Sequence, residues 1–210
     1  MKNKKLIIFD MDGTLIDSGD VITNTINFVR DNLGLKKIPK KEMLSQLNNP
    51  DINSSEYFYG TKSFTDEQTE LFTQYYNENC IKDINLYSGI KELLESLQSN
   101  YRLSIATNAS RDFAVKMCQH LDIDHHFDLI VGASCVQNPK PSPDMLIKTL
   151  QELDIDHKHS ILVGDSHKDI RAADAAQMDS ILVNWGFSQY EEKNTVTTTE
   201  QLHFQLQNMR

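Results

Sequence analysis

The rhythm of apolar positions changes twice along the chain. Leu6, Ile7, Ile8 and Phe9 form an unbroken apolar run that stops at Asp10. Such a run reads as a short strand buried on both faces, the kind a parallel sheet uses. From Asp20 the spacing becomes helical: Ile22, Ile26, Val29 and Leu33 share one face, and Gly34 closes the segment. Pro39 opens a second short helix that runs to Leu47. Residues 48–64 have no clean period and read as a loop with one short helix. Thr65 followed by Gln68 has the form of a capping box, and Leu71, Phe72, Tyr75 and Tyr76 mark a face of the helix behind it. Residues 18–85 are therefore expected to be helical and poor in strands.

Beyond Ser88 helices and strands alternate. Ile90, Leu93, Leu94 and Leu97 make a helix face, followed by a buried strand at 103–106. Helices are predicted at 113–121, 145–153 and 170–176, and strands at 129–131, 161–163 and 181–183. Thr198 with Gln201 caps a final helix whose apolar positions are Leu202, Leu206 and Met209. Repeated βα units of this length predict an α/β fold with a doubly wound parallel sheet. The 6–9 strand joins that sheet across the helical stretch. The expected organisation is a core made of residues 1–17 and 86–210, with residues 18–85 inserted as a helical cap subdomain.

Composition narrows the function. A length of 210 residues suits one large domain, or a core with a smaller insertion. The net charge of −9 argues against a nucleic-acid surface, which needs an excess of Lys and Arg. An anionic substrate would need local help from a cation and a well-placed lysine. The apolar runs are too short to span a bilayer, so no membrane association is expected. Lysines before residue 6 superficially imitate a signal peptide, but Asp10 and Asp12 interrupt the apolar region too early. Cys80, Cys118 and Cys135 are odd in number and widely spaced, which fits free thiols and a cytoplasmic location. The protein is read as a monomer.

The chemistry starts where the first strand ends. Asp10, Met11, Asp12, Gly13 and Thr14 follow Phe9 directly. Taken alone, this is an Asp-Gly turn. At the carboxyl edge of a parallel sheet, however, two acids line the crevice where ligands bind. They would repel one another unless a cation sat between them, and Mg²⁺ is the natural hard, oxygen-seeking candidate. Three later segments reach the same edge: Thr107 and Asn108; the proline-rich loop 138–143 with Lys140; and Gly164 to Asp169, which carries Asp165 and Asp169. Each alone has a bland reading, as a helix cap, a loop lysine, or a turn followed by a first-turn acid. Together, a hydroxyl, a fixed lysine and four carboxylates around one point suit metal-assisted phosphoryl transfer. His167, between the last two acids, is expected to be exposed. Tyr57, Phe58, Tyr59 and Phe64 read as packing within the helical stretch rather than as a pocket lining.

These four segments, in this order, resemble the haloacid dehalogenase superfamily, and within it the phosphoglycolate phosphatase-like group with a helical cap after the first motif. The likeness runs from residue 6 to about residue 185. It implies a Mg²⁺-dependent phosphatase acting on a small phosphorylated metabolite. Asp10 resembles the nucleophile that becomes an aspartyl-phosphate, and Asp12 the general acid and base. Thr107, the Asn108 backbone and Lys140 would hold phosphate. Asp10, the Asp12 backbone carbonyl and Asp165 would hold Mg²⁺, with Asp169 supporting Lys140 or a metal-bound water. The chain departs from the family pattern at Ser88, where proline is common, and at Gln177, where glycine is common. Competing readings are a phosphomutase, a dehalogenase, and a non-enzymatic aspartyl-phosphate signalling module.

Overall fold

The protein is described here from a computed structural model, in which residues 5–187, 190 and 195–208 are described. Five parallel strands form the main sheet in the order β5-β4-β1-β6-β7. They are β1 (Lys5–Phe9), β4 (Tyr101–Thr107), β5 (Leu129–Gly132), β6 (Ser160–Gly164) and β7 (Asp179–Leu182). The run that stops at Asp10 is thus the central strand. Phe9 registers with Ile105 on one side and with Val163 on the other.

Alternation along β1 sends side chains into two separate cores. Ile7 and Phe9 join α5 (Ile90–Leu97), α6 (Arg111–His120) and α9 (Thr199–Gln207). Leu6 and Ile8 face α7 (Asp144–Leu153) and α8 (His167–Ala175). The stripe Ile90, Leu93, Leu94 and Leu97 is buried as its spacing requires. Truncating the fully buried Leu94 to Ala would cost about 2–5 kcal/mol in transfer and cavity terms. The last predicted apolar position of α9, Met209, lies outside the described residues.

Between β1 and β4 the chain makes a helical excursion: α1 (Gly19–Asn32), α2 (Lys40–Leu47), α3 (Ser54–Tyr59) and α4 (Asp66–Asn79). Two of these helices, α3 and α4, begin on side-chain caps. Asn53 caps α3 by accepting from the N–H groups of Ser55 at 3.0 Å and Glu56 at 3.2 Å. The capping box at α4 forms as read, with Gln68 N–H to Thr65 Oγ1 at 3.2 Å and Thr65 N–H to Gln68 Oε1 at 3.1 Å. Ile26, Val29, Met43, Phe58 and Tyr59 form a third, smaller core inside this group. Where the chain leaves and re-enters the sheet layer, β2 (Ile16–Asp17) and β3 (Asn85–Leu86) pair antiparallel. Strands of two residues give no periodicity, and neither was expected from the sequence.

Candidate active site

The site forms where β1 ends beside β6. Here the order of connections reverses, because β4 and β5 lie on one side of β1 while β6 and β7 lie on the other. A crevice opens at the carboxyl end of such a switch point. Asp10 N–H still donates to Val163 O at 2.8 Å, which anchors the residue to the β6 edge. The backbone then folds tightly. The N–H groups of Thr14, Leu15 and Ile16 all converge on the Met11 carbonyl at 2.9–3.3 Å. Gly13 sits in the left-handed region at φ 85°, and a Cβ there would collide with the Asp165 carboxylate. A Cβ at Gly186 would strike the same carboxylate, so the two glycines leave room for it.

Lys140 is the hub. Its Nζ donates to Asp10 Oδ1 at 2.7 Å and to Asp169 Oδ1 at 2.6 Å, and all three side chains are buried. Asn108 holds the lysine backbone from both sides, accepting from Lys140 N–H at 3.0 Å and donating to Lys140 O at 2.9 Å. Asp169 Oδ2 accepts from the Ser166 N–H at 3.1 Å and the Ser166 hydroxyl at 2.7 Å. Thr14 Oγ1 donates to Asp10 Oδ2 at 3.2 Å.

Lys140 pairs with only two of the three acids clustered here. Carboxylate oxygens of Asp10, Asp165 and Asp169 lie within 4.8 Å of one another. Burial pushes the Asp10 carboxyl well above the usual range, Lys140 opposes this, and Asp169 and Asp165 add to it. Asp165 is pushed up to about 7, mainly by burial and then by Asp169. Burial works against the charge on Lys140, but Asp10 and Asp169 outweigh it and keep the ammonium protonated. The deficit of positive charge and the oxygen-only donor set fit a hard divalent cation. The site has no His or Cys of the kind that zinc prefers among its clustered acids.

Asp12 turns elsewhere. Its Oδ1 accepts from Ser18 Oγ at 2.5 Å and its Oδ2 from Thr107 Oγ1 at 3.3 Å. Thr107 Oγ1 in turn accepts from the Ala109 N–H at 3.1 Å. Burial raises the Asp12 carboxyl, and the Ser18 and Thr107 hydroxyls partly offset that. The repulsion expected between Asp10 and Asp12 does not arise, because the loop points the two side chains to different partners. The crowding falls on Asp10, Asp165 and Asp169 instead.

Above these groups lies a cavity of about 640 Å³, floored by Asp10, Asp12, Thr107, Lys140 and Asp165. The loop after α2 closes its edge. Asn48 Nδ2 donates to Asp165 Oδ2 at 2.9 Å, beside the Phe187 N–H at 3.0 Å. Lys168 Nζ donates to Leu47 O at 2.6 Å, and Arg171 pairs with both oxygens of Asp51 at 2.7 and 3.1 Å.

All seven residues singled out from the sequence, Asp10, Asp12, Thr107, Asn108, Lys140, Asp165 and Asp169, line this one cavity. Reading by sequence missed Ser18, Asn48, Ser166 and Lys168. Ser166 and Lys168 lay within the 164–169 segment already under suspicion, though neither was assigned a role, and Ser18 and Asn48 carried no local signal. His167 is half-buried rather than exposed, because its ring meets the Tyr190 ring edge-on at 4.5 Å. Phe58 and Tyr59 are buried in the small helical core as expected, yet both also line the cavity with Phe64.

Fold and site together define a doubly wound α/β enzyme with an acid cluster at its switch point. A family model described as haloacid dehalogenase-like hydrolase matches residues 7–183, and the chain belongs to that family. A phosphoglycolate phosphatase of Aquifex aeolicus is 31% identical over 184 residues, covering 87% of this chain and 86% of its own. One from Chromobacterium violaceum is 29% identical over 198 residues, covering 90% and 88%. A solved haloacid dehalogenase-like hydrolase from Streptococcus pneumoniae superposes with a TM-score of 0.82 at 26% identity, over 98% of this chain and all of its own. No helix among the described residues is long and apolar enough to cross a membrane.

Proposed function

We propose that this hydrolase is a Mg²⁺-dependent phosphatase that removes phosphate from a small phosphorylated metabolite through an aspartyl-phosphate at Asp10. The observation that carries the reading is Asp10 at the floor of the cavity, hydrogen-bonded to a buried lysine and bordered by a second acid with its own, separate partners. The phosphoglycolate phosphatases among its relatives support it.

In this mechanism an Asp10 oxygen attacks phosphorus while the ester oxygen departs. Asp12, whose carboxyl burial raises above the usual range, gives that oxygen a proton. Water then attacks phosphorus in the aspartyl-phosphate, Asp12 takes the proton back, and Asp10 is regenerated with inorganic phosphate. Thr107 and the Asn108 backbone would hold phosphate oxygens, and Lys140 would neutralise their charge. Asp169 and Asn108 position Lys140. Asp10, the Asp12 backbone carbonyl and Asp165 would hold Mg²⁺, which supplies charge neutralisation for the transferring group. Residues 18–85 serve as the cap over a core of 1–17 and 86–210. Three unpaired thiols suit a cytoplasmic setting.

The phosphomutase alternative needs cap groups that hold a sugar phosphate. Arg30 is the first basic residue of α1, and it is committed inside the cap to the carbonyls of Lys36, at 2.7 Å, and Phe58. A dehalogenase needs no counterpart of Asp12. A signalling module would keep its phosphate rather than release it repeatedly. The deciding experiment assays a panel of phosphate esters with Mg²⁺ and with chelator, for the native protein and Asp10→Asn. Repeated, metal-dependent release that Asp10→Asn reduces below about 1% is the expected result. Activity in that variant above this level overturns the covalent mechanism.

A further inference from the structure

We infer that the preferred substrate carries its phosphate on an uncharged, largely apolar group of aromatic size, rather than on a small acid such as glycolate. The inference rests on the phosphatase reading and deepens it by naming the leaving group's chemistry.

The cavity provides the argument. Its phosphate end is polar and comes from the core, with Asn48 of the excursion added to it. Away from those groups it is lined by Ile22, Ile26, Phe58, Phe64, Phe72 and Phe113, five of them from the helical excursion. The excursion also contributes the uncharged polar Ser54, Gln68, Thr69 and Thr73. Every residue of that excursion is described, and it contributes no Lys, Arg or His to the lining. A carboxylate on the leaving group would therefore lose its hydration without gaining a counter-ion, a steep penalty for a buried charge. Two lysines line the cavity among the described residues, and both sit at the phosphate end. Lys140 is committed to Asp10 and Asp169. Lys168 donates to Leu47 O and feels the charges of Asp169, Lys140 and Asp10.

Size points the same way. A cavity of about 640 Å³ falls within the ~300–1,000 Å³ of sites that enclose drug-sized ligands. A two-carbon acid would leave most of it to water against aromatic walls. Phe64 keeps 56% of its surface exposed while meeting Tyr59 edge-on at 6.0 Å. An exposed aromatic at the wall of an apolar cavity is surface left for a ligand to cover.

Three primary alkyl esters of similar leaving-group chemistry test this: naphthylethyl phosphate, ethyl phosphate and phosphoglycolate, each with Mg²⁺. The expected kcat/KM for the naphthylethyl ester is at least tenfold above either of the others, mostly through KM. Phe64→Ala, at an exposed position where folding is not at risk, should lower the naphthylethyl-to-ethyl ratio severalfold. Thr73→Lys, on the exposed rim of α4 and lining the same cavity, should shift the preference toward phosphoglycolate by an order of magnitude. A kcat/KM for phosphoglycolate equal to or above that of the naphthylethyl ester overturns the inference and leaves the phosphatase reading standing. No turnover of any of the three overturns both.

Discussion

Asn48 donates its amide to Asp165 Oδ2 at 2.9 Å, so a residue of the helical excursion touches one of the three clustered acids directly. The bond favours the ionised carboxylate, which burial otherwise disfavours. Asn48→Ala should raise the Mg²⁺ concentration needed for half-maximal activity at neutral pH. The defect should shrink at alkaline pH, where Asp165 is ionised with or without the amide. A Mg²⁺ titration at two pH values measures this, and an unchanged requirement at neutral pH would show the contact to be incidental.

Ser18 sets the pH range of Asp12. Its hydroxyl lowers the Asp12 pKa by stabilising the charged form. An acid that must be protonated to assist departure loses effect as pH rises through its pKa, so on the proposed mechanism the alkaline limb of the rate profile reports Asp12. Ser18→Ala removes the bond, raises that pKa, and should move the alkaline limb to higher pH. Asp12→Asn should instead lower kcat/KM by about 10²–10⁴-fold on the acid side of that limb and abolish the limb, so that the deficit narrows as pH rises. Steady-state profiles of kcat/KM check both, and a limb that stays in place in Ser18→Ala would detach Ser18 from the acid's titration.

If Asp165 holds Mg²⁺ as proposed, metal binding and stability are linked through it. Its folded pKa of about 7 exceeds the ordinary carboxyl value, so from about pH 4 to 7 the folded state keeps a proton that the unfolded chain has released. Stability of the metal-free protein from this group is therefore present at low pH and declines as pH rises across that window. Asp165→Asn cannot titrate. In chelator its Tm should gain on the native protein progressively from pH 4 to 7. Added Mg²⁺ should raise the Tm of the native protein and do little for the variant. A gap that does not change with pH would place the raised pKa elsewhere.

The end of α8 supplies a test independent of the chemistry. Gln177 has φ 56°, in the left-handed region, with its N–H on Asp174 O at 3.0 Å and the Met178 N–H on Ala173 O at 2.9 Å. This is a glycine-type helix ending carried by a residue with a Cβ. The strain is roughly 1 kcal/mol, and the Gln177 side chain is exposed. Gln177→Gly should stabilise the protein by up to about that amount, less the entropy glycine adds to the unfolded chain. Activity should not change. Equilibrium denaturation decides it, and a less stable glycine variant would show that the Gln177 side chain repays its strain.

What the sequence disclosed, and what it withheld, follows from the range of the interactions. Apolar runs such as 6–9 and 161–163 announced buried parallel strands because both faces of each strand meet helices. The Thr65–Gln68 box and the positive φ at Gln177 were legible because both depend on a few neighbouring residues. The convergence of Asp10, Lys140 and Asp169 followed from parallel topology alone, since every strand delivers its carboxyl end to one edge. Ser18, Asn48 and Lys168 were not legible. Their partners lie 6, 117 and 121 residues away, and they act through ordinary polar side chains; Ser18 and Asn48 sit in segments without a motif, and Lys168 sits in one whose acids drew the attention. The β2–β3 pair escaped for the opposite reason, being too short to leave a pattern.

That short pair has a consequence for how such a protein can diversify. The chain leaves the sheet layer through Ile16–Asp17 and returns through Asn85–Leu86, with Asp17 opposite Asn85 and the Tyr87 N–H bonded to Leu15 O at 3.0 Å. Departure and return are therefore side by side, and everything between them is topologically one long hairpin loop. Lengthening or replacing a loop costs little entropy once its ends are fixed together. The excursion is attached to the sheet layer at one paired junction. A chimera carrying a relative's excursion at this junction should keep the strand register of this sheet and take its choice of leaving group from the donor.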